Sequence, residues 1–159
     1  MVENLVPIIL GSKADIEHAR AIVKTLDELG VRSEIRIASA HKATSFLLHM
    51  LSNYERSGHT LVYITVAGRS NALSGVVDAN VTSPVIACPP YSDRFGGMDI
   101  LSSLRMPSGL GAVVVLEPEA AAIAAAKMLS LVDPSMVEKV RAYQQRNSKK
   151  IEEDDAALR

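Results

Sequence analysis

Several residue types are scarce in this sequence of 159 residues, and each shortage excludes a class of protein. Its one cysteine, Cys88, can form neither an internal disulfide nor a zinc site, which fits a reduced, cytoplasmic setting. Tryptophan is absent and aromatic residues make up only 4%, so we expect no stacking platform for single-stranded nucleic acid. The apolar run 5–10 is far too short to span a bilayer, and so is every later run.

An excess of one charge is also missing. Lys and Arg number 17 and Asp and Glu number 18, so no global field would gather nucleic acid or an anionic membrane. The stretch Met1-Val2-Glu3-Asn4 lacks the basic flank of a signal peptide. With 48% hydrophobic and 22% charged residues, the sequence is typical of a globular protein, and we expect a single domain over 1–159. We expect a cytoplasmic protein that binds neither nucleic acid nor membranes.

What the sequence does have is a regular alternation of short apolar runs with amphipathic stretches. The predicted strands are 5–10, 31–37, 61–66, 84–87 and 112–116. The predicted helices are 16–29, 44 to Ser57-Gly58, 71–79, 98–104, from 117–119 to about 131, and from 135 into 149–155. Gly30 is a natural stop for the first helix, and Thr44 can cap the second. Near-continuous apolar strands predict an α/β protein with a parallel sheet covered on both faces. This is a three-layer αβα sandwich of flavodoxin or Rossmann type, with a C-terminal helix and tail over 134–159.

In such folds ligands bind beyond the carboxyl ends of the strands, so the turns after strands one, two and three should carry the chemistry. The first turn, 11–15, offers the Ser12 hydroxyl and free N–H groups of the next helix, which suit an anion. The alternative is that Ser12 or Asp15 only caps this helix. The sequence contains neither the Gly-x-Gly-x-x-Gly motif nor the P-loop motif, so ordinary dinucleotide and P-loop sites have no support.

The second and third turns carry side chains suited to proton transfer and to phosphate. His41 is the histidine best placed to carry a proton, because it follows a predicted strand and an imidazole titrates near neutrality. Lys42 could hold a phosphate, and Arg69 and Ser70 could bond a phosphate or a sugar. The alternatives are a solvent-facing histidine and a tight turn in which Arg69 pairs with a surface carboxylate.

Other reactive residue types have a plainer interpretation. His18, His49 and His59 fall on helix surfaces or on a helix–strand link, and we expect them to be solvated. Cys88 has no evident base beside it and is predicted to be a small buried residue. Gly96-Gly97 could hinge a covering loop over 88–97 or could be ordinary turn punctuation.

Taken together, the three turns resemble those of a known family. The sequence is similar to the PurE family, the catalytic subunit of phosphoribosylaminoimidazole (AIR) carboxylase in de novo purine synthesis, over roughly 7–131. The motifs that carry the resemblance are Gly11-Ser12-Lys13-Ala14-Asp15, Ser39-Ala40-His41-Lys42, Ala67-Gly68-Arg69-Ser70-Asn71-Ala72-Leu73, Cys88-Pro89-Pro90 and Ser102-Ser103-Leu104-Arg105-Met106-Pro107-Ser108-Gly109. Three ordered motifs at matching separations are much more specific than any one of them.

The PurE family has two branches. A mutase moves a carboxylate from N5-carboxyaminoimidazole ribonucleotide to ring carbon C4, whereas a carboxylase adds CO2 directly to AIR. The mutase pattern has an arginine in the second turn and a histidine and a proline in the third, where this sequence has Lys42, Ala72 and Ser74. The stretch 67–71 instead resembles the direct (class II) carboxylase, which is also found as a domain of the animal bifunctional enzyme.

The resemblance also implies roles for individual residues. His41 would be the general acid and base at C4 of AIR, and no metal, nucleotide cofactor or ATP is implied. The remaining expected contacts are Ser12, Asp15, Ser39 and Lys42 with the ribose and phosphate, and Gly68, Arg69 and Ser70 with the ring and carboxylate. Family members assemble as homo-oligomers, commonly octamers, so we expect a homo-oligomer.

Three alternatives differ from this hypothesis in chemistry. The first is the mutase of the same family, which the absence of a histidine at Ala72 disfavours. The second is a non-catalytic nucleotide-sensing module, which would keep the phosphate-holding residues without needing His41. The third, a response-regulator receiver, needs an aspartate at the end of strand three, where the sequence has Val66-Ala67-Gly68, and we set it aside.

Overall fold

The computed structural model describes residues 3–159, and within them six strands form one parallel sheet. The strands are β1 (Asn4–Leu10), β2 (Arg32–Ile37), β3 (Thr60–Leu61), β4 (Tyr63–Val66), β5 (Val85–Ala87) and β6 (Val113–Val114). Their order is β2-β1-β4-β5-β6, and β3 pairs with β1 just ahead of β4. Met1 and Val2, part of the stretch considered for a signal peptide, lie outside the described residues.

Helices cover both faces of this sheet, which confirms the predicted three-layer αβα sandwich. The helices are α1 (Ile16–Glu28), α2 (Thr44–Glu55), α3 (Leu73–Asp78), α4 (Leu101–Leu104), α5 (Pro118–Leu129) and α6 (Pro134–Ala156), with 3₁₀ turns at Lys13–Asp15 and Arg94–Ile100. Alternate residues of β1 point to opposite faces, Val6 and Ile8 to one apolar core and Leu5 and Ile9 to the other. Because both faces are buried, residues 5–10 of β1 form an unbroken apolar run.

One core lies between the sheet and helices α1, α5 and α6, and the other between the sheet and helices α2 and α3. The alanine-rich helix α5 packs closely on α1, and four of its alanines are fully buried, Ala121, Ala122, Ala125 and Ala126. Helix α1 ends at Glu28, and Gly30 stops it two residues later, as predicted, with a positive φ of 61°. There the Val31 N–H donates to the Leu26 carbonyl at 2.9 Å and closes the helix end.

Three local predictions differ from the structure. The predicted strand 61–66 divides at Val62, whose N–H reaches the Leu5 carbonyl only at 3.4 Å, although the register with β1 is unchanged. The predicted strand 112–116 shortens to Val113–Val114, because this edge strand pairs only with the short strand β5. Thr44 does not cap α2 but is its first residue, and its hydroxyl donates to the Ala40 carbonyl. Within residues 3–159 no helix is both long and apolar enough to cross a bilayer.

Candidate active site

The turns that follow β1, β2 and β4 meet in one cleft of about 480 Å³ at the carboxyl edge of the sheet. The eight residues predicted for the site all line this cleft: Ser12, Asp15, Ser39, His41, Lys42, Gly68, Arg69 and Ser70. The turns meet because β1 lies between β2 and β4, so that three segments distant in sequence end side by side. The structure thus brings the predicted residues together, while their individual roles stay predictions.

The first turn lies against the third. The Gly11 N–H donates to the Val66 carbonyl at 3.0 Å, and a Cβ at Gly11 would lie 3.5 Å from Ala67 Cβ. The Ser12 hydroxyl accepts from the Ala14 N–H at 3.2 Å, so this residue caps the 3₁₀ turn and also lines the cleft. Asp15 occupies the N-cap of α1, yet its carboxylate forms no capping hydrogen bond with any described residue. The carboxylate is therefore available to the cleft.

Burial raises the pKa of Asp15, and the nearby His18 and Arg69 oppose this rise.

The second turn is held by its own backbone and presents its two basic residues outwards. The Ser39 hydroxyl accepts from the Lys42 N–H at 3.2 Å, and the Ser39 carbonyl accepts from the Ala43 N–H at 2.9 Å. His41 and Lys42 are both exposed on the cleft wall.

The third turn has an unusual backbone at Arg69, whose φ of 57° lies in the left-handed region that costs a non-glycine residue about 1–2 kcal/mol. Asp99, just before α4, and Ser102, within α4, hold this conformation. The Arg69 N–H donates to Asp99 Oδ2 at 3.2 Å, and the Ser102 hydroxyl donates to the Arg69 carbonyl at 2.8 Å. The Asp99 carboxylate therefore accepts from the Arg69 backbone, and the Arg69 guanidinium faces the cleft.

A buried polar network lies directly behind the third turn. Asn71 Nδ2 donates to the hydroxyls of Ser74 and Ser103 at 2.8 and 2.9 Å. Asn71 Oδ1 accepts from the Ser74 N–H at 3.2 Å, and the Ser74 hydroxyl pairs with that of Thr65 at 2.7 Å. Buried polar groups with satisfied hydrogen bonds fix a backbone firmly, because any rearrangement leaves one of them without a partner.

None of the residues of the fourth wall was predicted as a site residue, although 88–97 was considered as a covering loop. This wall consists of residues from the segment after β5: Pro90, Tyr91, Ser92, Arg94 and Asp99. The feature of the sequence that marked this segment was the pair Gly96-Gly97. Together with Phe95, these glycines are three consecutive residues of positive φ (52°, 61° and 80°). Such a backbone turns the chain sharply beside the cleft, and its predicted role as a hinge stays a prediction.

The charges of the cleft suit an anionic ligand. Lys42, Arg69 and Arg94 face two carboxylates, Asp15 and Asp99, so cations outnumber anions before His41 is counted. Lysine and arginine side chains bind phosphate groups well. An exposed imidazole beside them can pass a proton between a ligand and solvent. The arrangement can therefore hold a phosphorylated small molecule and perform proton transfer on it.

The three other histidines differ from one another. His49 is exposed, as predicted. The prediction of a solvated His18 was wrong, because this side chain is partly buried and its Nε2 lies 3.3 Å from Cys88 Sγ. The prediction was also wrong for His59, which bonds Ser57 through Nδ1 at 2.8 Å and lies 3.3 Å from a Glu3 oxygen. The contacts of His18 with Cys88 and of His59 with Glu3 link distant segments and leave no trace in the local sequence pattern.

Cys88 is fully buried, as predicted. Burial raises the pKa of its thiol to about 12, and the negative charge of Glu117 acts in the same direction. Within residues 3–159, no three His, Cys, Asp or Glu side chains are grouped so that they could hold a metal ion.

Comparison with known proteins agrees with the geometry of the site. Residues 5–150 match the family model described as AIR carboxylase. The chain is 49% identical over 155 residues to a phosphoribosylaminoimidazole carboxylase from Treponema denticola, covering 98% of both chains. A protein of the same name from Archaeoglobus fulgidus is 49% identical over 152 residues, covering 96% of this chain and 83% of that protein.

The similarity also includes a solved structure and animal proteins. The crystal structure of Treponema denticola PurE superposes with a TM-score of 0.95 at 48% identity, covering 99% of both chains. The human bifunctional phosphoribosylaminoimidazole carboxylase/phosphoribosylaminoimidazole succinocarboxamide synthetase is 41% identical over 137 residues, which are 86% of this chain and 32% of that protein. The cleft, the fold and these similarities together show that the chain belongs to the AIR carboxylase (PurE) family of purine biosynthesis.

Proposed function

We propose that this protein is a direct AIR carboxylase, which adds CO2 to C4 of 5-aminoimidazole ribonucleotide to give 4-carboxy-5-aminoimidazole ribonucleotide. The observation that carries the proposal is the construction of the third turn. Its Ser74 N–H donates to Asn71 Oδ1, and its Ser74 hydroxyl bonds that of Thr65. A proline at this position, as in the mutase pattern, offers neither donor. The buried network and the mutase turn are therefore mutually exclusive.

The histidine content of the cleft supports the same branch. Among the described residues that line it, His41 is the only histidine, and the position of the second mutase histidine is taken by Ala72. The third turn therefore offers small groups and the Arg69 guanidinium where the mutase pattern has an imidazole. Such a wall suits an entering CO2 molecule and the carboxylate that it becomes.

The substrate would be held from two sides. Lys42 and Ser39 from the second turn would contact the phosphate, and Ser12 would assist from the first turn. Asp15 would accept hydrogen bonds from the ribose hydroxyls. Gly68, Arg69 and Ser70, on the cleft wall, would line the imidazole ring and the new carboxylate.

The chemistry follows from the electron-rich ring of AIR. Carbon C4 attacks CO2 and forms the new C–C bond, so C4 briefly carries both its hydrogen and the carboxylate. His41 then takes the proton from C4, the C–H electron pair returns to the ring, and aromaticity is restored. Because His41 is exposed, it can pass this proton to solvent. In the reverse direction the protonated imidazole delivers the proton to C4.

We also propose that the protein is a homo-oligomer, with an octamer as the expected size, built from one domain over 1–159. Tyr91 and Phe95, beside the cleft, are 92% and 87% exposed, which is unusual for large apolar side chains. A neighbouring copy over this segment would bury them and would help to exclude water from the site. Light scattering coupled to gel filtration measures the mass directly, and a monomer at every concentration would contradict the proposal.

The function is tested by measuring turnover with two substrates in parallel. One reaction contains AIR and CO2-equilibrated bicarbonate without ATP, and the other contains N5-carboxyaminoimidazole ribonucleotide while free CO2 is scavenged. The proposal expects turnover of the first alone. Turnover of the second alone would show a mutase that works without the second histidine. Tight AIR binding with no turnover of either substrate would instead support a nucleotide-sensing module.

A further inference from the structure

His18 and Cys88 form a contact just outside the cleft that the proposed chemistry does not use. His18 follows Asp15 by three residues, so both side chains lie on the same face at the start of α1. The imidazole is partly buried, and its Nε2 lies 3.3 Å from Cys88 Sγ, although 70 residues separate the two in sequence. The contact therefore ties the beginning of α1 to a distant part of the sheet.

The sulfur side of this contact is rigid. Cys88 directly follows β5, its N–H donates to the Thr65 carbonyl at 2.8 Å, and its side chain is fully buried. The next residues are two prolines, and the Pro90 ring lies 3.5 Å from where a Cβ at Gly68 would be. Cys88 is thus a fixed point between the sheet and the third turn, and His18 is the group that it can hold in place.

The protonation states make this contact an ordinary hydrogen bond and not an ion pair. Burial lowers the pKa of His18, against the opposing effects of Cys88, Asp15 and Glu117, so the imidazole is neutral at pH 7. Burial raises the pKa of Cys88 to about 12, so the sulfur is a thiol. The thiol also lies 3.6 Å from the Leu116 carbonyl, to which it donates, so the sulfur joins His18 Nε2 and Leu116 in one hydrogen-bonded group.

We propose that His18 is a positioning residue for substrate binding, whose hydrogen bond to Cys88 fixes the first turn of α1 and thereby aims the Asp15 carboxylate into the cleft. This inference rests on the proposed function, because it assumes that Asp15 contacts the ribose of AIR. Asp15 needs such help because its carboxylate forms no capping hydrogen bond with any described residue. His18 acts through Asp15 and does not touch the reacting atoms.

The inference makes a specific kinetic prediction. Loss of the contact loosens Asp15 but leaves His41 in place, so the KM for AIR rises and kcat is retained. We expect His18→Phe and Cys88→Ala each to raise the KM about threefold to tenfold, the effect of one hydrogen bond of ordinary net strength. His18→Gln, which keeps an N–H donor, should recover part of this loss. The matched control is His49→Gln on the exposed face of α2, which should change neither constant.

The decisive comparison is made in a background that lacks the Asp15 charge. If His18 acts through Asp15, then His18→Phe adds nothing to the KM of Asp15→Asn, whereas a general loss of structure would add its effect in both backgrounds. Calorimetric AIR binding is measured on the same proteins, together with their thermal unfolding. Where His18→Phe does not fold, Cys88→Ala removes the same contact from the other side and takes its place in the comparison.

The outcomes separate this inference from the proposed function. An active wild type with an unchanged KM in His18→Phe and Cys88→Ala overturns the inference alone, as do effects that add fully to Asp15→Asn. A wild type that binds AIR without turnover overturns the proposed function, and the calorimetric affinities of the variants still decide the role of His18. A wild type that neither binds nor converts AIR overturns both.

Discussion

The buried network at Asn71 gives the sharpest prediction about how the site is built. Replacing Asn71 with alanine removes hydrogen bonds to three groups, the Ser74 hydroxyl, the Ser103 hydroxyl and the Ser74 N–H. All three groups lie in buried residues, so water cannot readily replace the lost partner. At roughly 1 kcal/mol of net stability for each hydrogen bond, the free energy of unfolding should fall by about 3 kcal/mol.

The same substitution should also impair the site. Asn71 directly follows Ser70, and its N–H donates to the Ser102 hydroxyl at 3.0 Å, so the third turn loses its alignment when the network is removed. A misplaced ring-binding turn should lower kcat/KM for AIR carboxylation by about tenfold or more. The stability is measured by urea unfolding at one fixed protein concentration, because an oligomer is stabilised by mass action.

Asn80→Ala is the matched control for this experiment. Asn80 is exposed just after α3, and its side chain bonds one group among residues 3–159, the Val76 carbonyl at 2.8 Å. Its loss should therefore cost well under about 1 kcal/mol and leave turnover unchanged. If Asn71→Ala costs no more than this control, or if it lowers stability while leaving kcat/KM intact, the network does not hold the third turn in place.

Three further predictions concern other groups. His41→Asn should keep AIR binding and lower kcat by about a hundredfold or more, while His49→Asn should not; near-normal turnover of His41→Asn would refute its role as acid and base. Burial alone would raise the pKa of the Glu55 carboxyl, but hydrogen bonds from Thr82, Tyr63 and Ser83 hold it below the ordinary value of 4.5. The ionised Glu55 therefore stabilises the fold above pH 4.5, and this contribution is lost as the pH falls through the pKa of the folded state. The stability difference between wild type and Glu55→Gln in urea should therefore narrow below pH 4.5, and a constant difference would contradict this. Native Cys88 should resist a maleimide reagent at pH 8 and react after unfolding, whereas rapid native labelling would show that its thiol is accessible.

Much of the fold could be predicted because it depends on short-range patterns. Continuous apolar runs such as β1 indicate strands that are buried on both faces, and Gly30 ends α1 because glycine readily adopts a positive φ. The division at Val62 and the shortening of β6 could not be predicted. Both depend on how well a neighbouring strand pairs, and the apolar pattern of the strand itself does not contain that information.

The candidate site divides in the same way. The residues of the first three turns could be selected because each follows a recognisable strand, and the family resemblance then gave them roles. The fourth wall, with Arg94 and Asp99, follows a strand of only three residues and has no local signal except two glycines. The left-handed backbone of Arg69 was equally hidden, because Asp99 and Ser102, thirty residues away or more, supply the groups that stabilise it.

The sequence by itself determined the alternation of strands and helices, the chemistry of each turn and the membership of a family. These follow from residue order over short distances, where side-chain periodicity and backbone preference act. Only the tertiary structure decided that β1 lies between β2 and β4, that three turns share one cleft, and that His18 meets Cys88. Those features arise when segments distant in sequence bury apolar surface together, and the free energy of that packing belongs to no single segment.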